Sequence, residues 1–148
     1  MAEKNITKRK IIIKKGKNKS KAGMISSEFF KQWLSAFAAK VDPIIMEKYV
    51  TAKGCYPWHI FTWGKVECIE GKAAITAYRH TESDADIYFY SRHDFENDWV
   101  ERRKNKVEEF IDNLEENPEF YIVDRNFTWT FVWTHESYLC GPYFCKKN

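Results

Sequence analysis

The chain has 148 residues, enough for one domain of ordinary size and too few for two comfortable ones. Hydrophobic residues make up 44% and aromatics 17%, which excludes a disordered composition, and no segment approaches the ~18 consecutive apolar residues that a membrane span needs. The formal net charge of +3 conceals a division: residues 1–22 carry nine Lys and Arg against Glu3, while the remainder has fifteen basic and twenty acidic residues, a net of -5.

The basic end, residues 1–22, has little to bury apart from Ile11, Ile12 and Ile13. Repulsion among its lysines predicts a flexible tail, with a single α+β domain occupying residues 26–148. Lys8, Arg9, Lys10, Lys14 and Lys15 are candidates for weak, non-specific nucleic-acid contact through phosphate charge, and the same run reads equally well as a solubilising end. It has no interleaved aromatics to stack on bases. Ser26 or Ser27 is the expected cap of a helix whose stripe is Phe29, Phe30, Trp33, Leu34, Phe37, Ala38 and Val41. Asp42-Pro43 predicts an N-cap followed by proline at the first position of a second, short helix.

Tyr56 to Trp63 reads as a strand entered through Pro57, with Trp58, Ile60 and Thr62 on one side and His59, Phe61 and Trp63 on the other. Gly71 to Tyr78 fits a helix presenting Ala73, Ala74, Ala77 and Tyr78 inward. Asp86 to Tyr90 is a strand, and Asp98 with Glu101 predicts a capping box opening the longest helix, with Val100, Val107, Phe110, Ile111 and Leu114 as its stripe. Glu119 to Val123 and Phe127 to His135 form a hairpin about Asp124-Arg125-Asn126, with Phe127, Trp129, Phe131, Trp133 and His135 alternating on one face. The expected architecture is α+β: a small antiparallel or mixed sheet of about four strands, with helices packed mainly on one side.

Three stretches carry a resemblance. Trp58-His59-Ile60-Phe61-Thr62, the run from Phe127 through Val132 with Thr134-His135-Glu136, and Gly141-Pro142-Tyr143-Phe144 resemble the signatures of a small bacterial family recorded as domain of unknown function 4275. The likeness covers roughly residues 27–145 and leaves the basic end outside. It implies a single-domain cytoplasmic protein of the kind found in Gram-positive bacteria related to Bacillus, and it supplies no catalytic role, substrate or cofactor.

His59 and His135 are the residues best suited to acid–base work, with Glu136 or Asp124 as an orienting carboxylate. A regular strand would point His135 and Glu136 to opposite faces, so a bulge or the strand end must intervene for them to cooperate. Cys140 and Cys145 match zinc spacing once, but Cys55 and Cys68 supply no second pair, so neither a metal nor another cofactor is expected. The absence of an apolar signal segment predicts a cytoplasmic protein with reduced thiols and no membrane partner. No nucleotide-binding, metalloprotease or nucleophile-elbow motif is present. These readings favour a non-enzymatic binding module, an inhibitor or immunity-type protein that meets an unidentified basic protein through its acidic body and through Trp58, Trp63, Trp133 and Tyr143. The alternatives are a histidine-dependent hydrolase or nuclease-like enzyme, and a nucleic-acid-associated protein acting through its tail.

Overall fold

A computed structural model describes residues 23–51, 56–62, 64–91, 98–116 and 118–147. Its elements in chain order are β1 (Met24–Ile25), α1 (Ser26–Phe37), α2 (Pro43–Met46) running into a π-helical turn (Glu47–Thr51), α3 (His59–Thr62), β2 (Ile69–Glu70), α4 (Lys72–Arg79), β3 (Asp86–Ser91), β4 (Trp99–Lys104), α5 (Val107–Asp112), a 3-10 turn (Leu114–Glu116), β5 (Phe120–Asp124), β6 (Trp129–Trp133) and β7 (Tyr143–Lys146). The strands form a single antiparallel sheet of seven in the order β1-β4-β3-β5-β6-β7-β2.

The fold is α+β, but seven strands replace the expected four, and helices cover both faces of the sheet. The first four residues of β5, Phe120 to Val123, are all buried because each side of this central strand has its own core. On one face Tyr121, Val123, Val132 and Tyr143 pack against Phe29, Trp33 and Phe37 of α1 and Ile60 and Phe61 of α3. On the other, Phe120, Ile122, Phe131 and Phe144 meet Ala74 and Tyr78 of α4, Phe110 of α5 and Leu114. The period of two thus sorts the hairpin residues between two cores.

Two segments adopt the other type of structure. Residues 99–104, expected within a helix, form β4, because Arg102 and Lys104 find Asp86 across the strand pair at 3.4 and 2.7 Å. Arg103 lies over the rings of Phe89 and Phe110, so its long stem packs where a shorter polar residue would leave a gap. Asp98 does not open a helix; its carbonyl accepts a hydrogen bond from the Ser26 amide at 2.6 Å, and the helix begins only at Val107. Conversely, the expected strand at Trp58–Thr62 is helical. Pro57 opens a turn in which the amides of His59, Ile60 and Phe61 reach back to the carbonyls of Tyr56, Pro57 and Trp58, so Trp58 and Phe61 share a face at helical spacing.

Helix α1 follows its apolar stripe, although Ile25 occupies the cap position and no side chain caps the helix. Asp42 accepts from the Ile44 amide at 2.8 Å, as the Asp-Pro pair predicts. Phe127 departs from the expected aromatic face: its φ of 54° turns the ring into the core beneath α1. Trp129 is only half-buried, stacked beside Phe144.

Helix α1 is tied to the sheet by a buried polar relay. The indole N–H of Trp33 donates to Thr130 Oγ1 at 3.0 Å, and that hydroxyl donates to the Ile122 carbonyl at 2.9 Å. Replacing Trp33 with phenylalanine keeps an aromatic ring but leaves the Thr130 oxygen without its donor in a dry site. The expected loss is about 1–3 kcal/mol in urea denaturation, and an unchanged midpoint would show that the relay does not hold the helix.

Candidate functional site

The first residue before β5 is the centre of a polar cluster. Glu119 is 1% exposed, and its Oε1 accepts hydrogen bonds from Trp58 Nε1 at 3.0 Å and from His135 Nδ1 at 2.8 Å. An indole N–H can only donate, so Oε1 serves as an acceptor; a hydrogen on His135 Nδ1 completes the pair and directs Nε2 outward. Burying a carboxylate costs several kcal/mol unless hydrogen bonds replace its water, and the two ring N–H groups provide that replacement at Oε1.

The strand ends at Trp133, which resolves the conflict between His135 and Glu136. A regular continuation would hold His135 on the Trp133 face, but the chain turns at Thr134 and brings the imidazole to the opposite side, against Tyr56 and Trp58. Thr134 fixes this turn: its amide donates to Ser137 Oγ at 2.9 Å, its hydroxyl accepts from the Glu136 amide at 3.1 Å, and its carbonyl accepts from the Ser137 amide at 3.1 Å. Tyr138, at φ 78°, and Gly141, at φ 99°, close the loop with a 2.8 Å hydrogen bond from the Tyr138 amide to the Gly141 carbonyl. Glu136 Oε2 consequently lies 3.5 Å from His135 Nε2, and the imidazole sits between two carboxylates.

His59 completes the cluster from the start of α3. Its ring lies 4.2 Å from that of Trp58 and 5.9 Å from that of Tyr56, the same stacked pair that His135 contacts at 5.8 and 4.9 Å. Partial burial holds the His59 pKa below that of a free imidazole; the nearby charges of Glu136 and Glu119 oppose the shift, and His135 reinforces it. The two histidines anticipated from the sequence therefore meet around one aromatic pair, and Glu136 joins them.

Asp124 does not. It lies at the other end of β5, roughly 17 Å from Glu119 along the strand, where it accepts from the Thr128 amide and hydroxyl and the Trp129 amide to hold the hairpin turn. Trp58, Trp133 and Tyr143 were expected at a recognition surface, but they are 0%, 5% and 1% exposed. Their size is spent on the core, and the Tyr143 hydroxyl is engaged with Thr62 Oγ1 at 2.8 Å. Burial pushes that phenol up to about 12, which withdraws it from proton transfer near neutral pH. Trp63 and the tail residues Lys8, Arg9, Lys10, Lys14 and Lys15 lie outside the described residues. Among the described residues no group of three or more His, Cys, Asp or Glu is arranged to hold a metal ion, and no helix is long and apolar enough to cross a membrane.

Glu119 was missed as a site residue. The available signal was its alternation with Tyr121 and Val123, which places a carboxylate on a face otherwise filled by the core.

A family model matches residues 4–144. The chain belongs to the family described as Domain of unknown function (DUF4275). The DUF4275 match begins well before residue 27, so most of the basic end lies inside the family's span and not outside it. It also contains every member of the cluster, from Tyr56 to Glu136. No curated protein and no solved structure matches the chain.

The depressed His59 pKa has a sign that can be tested. A folded-state pKa below the unfolded value of 6.5 means that the folded protein holds its proton less tightly, so this group's contribution to stability is present above pH 6.5 and is lost as the pH falls through the lower, folded-state value. In thermal unfolding, the wild-type protein is expected to lose stability on acidification, and His59→Gln is expected to flatten part of that dependence. Parallel curves for the two proteins would remove the assignment.

Proposed function

We propose that the Glu119–His135–His59 cluster is a general acid–base centre and that the protein is a histidine-dependent hydrolase. The observation that carries this reading is the buried Glu119 carboxylate holding His135 Nδ1, because a fixed Nδ1 partner orients the imidazole and leaves Nε2 for proton transfer. His59 supplies the complementary group: its partial burial favours the neutral form, which can accept a proton. In the proposed reaction neutral His59 takes a proton from an attacking water while His135, protonated on both ring nitrogens, delivers the Nε2 proton to the leaving group of an ester, amide or phosphodiester. Exchange with solvent then removes the proton from His59 and restores that on Nε2. Glu119 keeps His135 aligned throughout, and Glu136 stands beside Nε2. The proposed setting is the bacterial cytoplasm, a reading supported by the free thiols of Cys68, Cys140 and Cys145.

One observation favours the protein-binding reading as a second possibility. Leu139 and Tyr138 are 84% and 56% exposed on the loop that carries Glu136, where a basic partner could meet an apolar knuckle and a carboxylate together. In that case the histidine cluster would serve to hold the loop.

The two readings separate on the full-length protein. Turnover of chromogenic ester, amide and phosphodiester panels is expected to fall roughly 100-fold or more in His59→Gln and His135→Asn, and to fall in Glu119→Gln, with the far-ultraviolet spectrum unchanged. Turnover that survives in both folded histidine variants, or no turnover alongside a stoichiometric partner lost in Leu139→Ser, would overturn the hydrolase.

A further inference from the structure

The cations of this protein are segregated in a way that neither the net charge nor the histidine cluster explains. On the β3–β4–α5 side they are neutralised: Arg79 pairs with Glu108, Arg102 and Lys104 with Asp86, and Lys106 with Asp84. A second set gathers around the C-terminal half of α1. A pocket of about 170 Å³ lies between the end of α1, the stretch Lys65–Glu67 and the end of β7, and a wider depression of about 430 Å³ continues from it across α1 to the hairpin turn. The two share Ala36 and Lys147, so they adjoin on one grooved surface.

Lys31, Lys40, Lys65, Arg125, Lys146 and Lys147 line this groove, against only Glu28 and Glu67. All six cations are exposed, and among the described residues none has a carboxylate within ion-pair distance; Asp86 only feels the charge of Arg125 from further away. This concentration stands out because the chain after residue 22 is acidic overall. Uncompensated cations facing one another in a concave surface raise the local potential and attract a polyanion.

We infer that this groove binds the phosphodiester backbone of single-stranded nucleic acid. Concavity favours a single strand, since a duplex would bring more of its phosphates against the acidic remainder of the surface. Readout of sequence is not built in: Phe37 and Phe127, the aromatics lining the groove, are 5% and 8% exposed and offer no face for stacking a base. Within α1 the rise from Lys31 to the helix end at Phe37 is roughly 9 Å, with Lys40 beyond it, enough for a few nucleotides. The groove lies at the hairpin-turn end of the sheet, away from His135, and its ligand does not depend on any catalysis there. It is also distinct from the basic end, which the sequence alone singled out.

The test uses the full chain and a fluorescein-labelled oligothymidylate in fluorescence anisotropy. Reversing Lys65, Arg125 and Lys147 to glutamate is expected to weaken binding roughly tenfold or more at low salt and to flatten the slope of log affinity against log salt by about 2. Because these side chains are exposed, the variant should retain the wild-type unfolding transition; should it unfold, the single variants Lys65→Gln and Lys147→Gln provide the same comparison. Changing Lys8, Arg9, Lys10, Lys14 and Lys15 to glutamine in an otherwise wild-type chain is expected to leave most of the affinity. Loss of binding in that tail variant with none in the groove variants would overturn the inference, as would binding to phosphatidylserine vesicles without binding to the oligonucleotide.

Discussion

The central strand β5 has no solvent face, and this constraint shapes the rest of the molecule. Four consecutive side chains, Phe120 to Val123, are buried, so a single layer of helices could not enclose them. The chain supplies α1 and α3 for one face and α4 and α5 for the other. Its polar groups at depth follow the same economy. Thr130 joins Trp33 to the Ile122 carbonyl on one side, and Asn105, fully buried, accepts from the Tyr78 hydroxyl at 2.7 Å while donating to Thr81 and the Glu82 carbonyl on the other. Each helical layer is thus fastened by hydrogen bonds that only one arrangement satisfies.

Glu119 extends this logic to charge. Standing at the mouth of β5, it must find donors within the protein, and Trp58 and His135 meet that need from opposite parts of the chain. The same contacts pin α3 to the end of the sheet and orient an imidazole, so stability and chemistry draw on one carboxylate. The opposite end of β5 is different in kind: Asp124 is absorbed by backbone amides, and the charges beyond it on Arg125 and Lys147 are left to solvent. The sheet accordingly separates a desolvated, directional electrostatic environment from a solvated, diffuse one.

The elements legible in the sequence are those whose partners are local. The stripe of α1, the Asp42-Pro43 cap and the alternation within β6 depend on spacing within a few residues and are present as the spacing suggests, whereas Phe127 and His135, beyond the ends of β6, leave the expected face. Residues 99–104 were not legible, because Arg102 and Lys104 take their partner from β3; helical propensity yielded to pairing across the sheet. Pro57 misled for a related reason, since it can begin either a strand or a helical turn, and the burial of Trp58 beneath Tyr56 decides which. The meeting of His59 with His135 was open to anticipation as chemistry, whereas the role of Glu119 required knowing that both faces of its strand are covered.

The two outermost strands are only two residues long. Among the described residues β1 pairs with Trp99 and Val100 of β4, and beyond that pair β4 carries Glu101, Arg102, Arg103 and Lys104; β2 pairs with Tyr143 and Phe144 of β7 in the same brief way. A long, flat, apolar edge would offer its unpaired amides and carbonyls to another copy of the chain. Among the described residues β2 is short and this part of β4 is rich in charged side chains, a composition that disfavours pairing with a further strand. The charged run that follows Asp98 thus serves the sheet twice, pairing with Asp86 of β3 and making this strand a poor template for another copy of the chain.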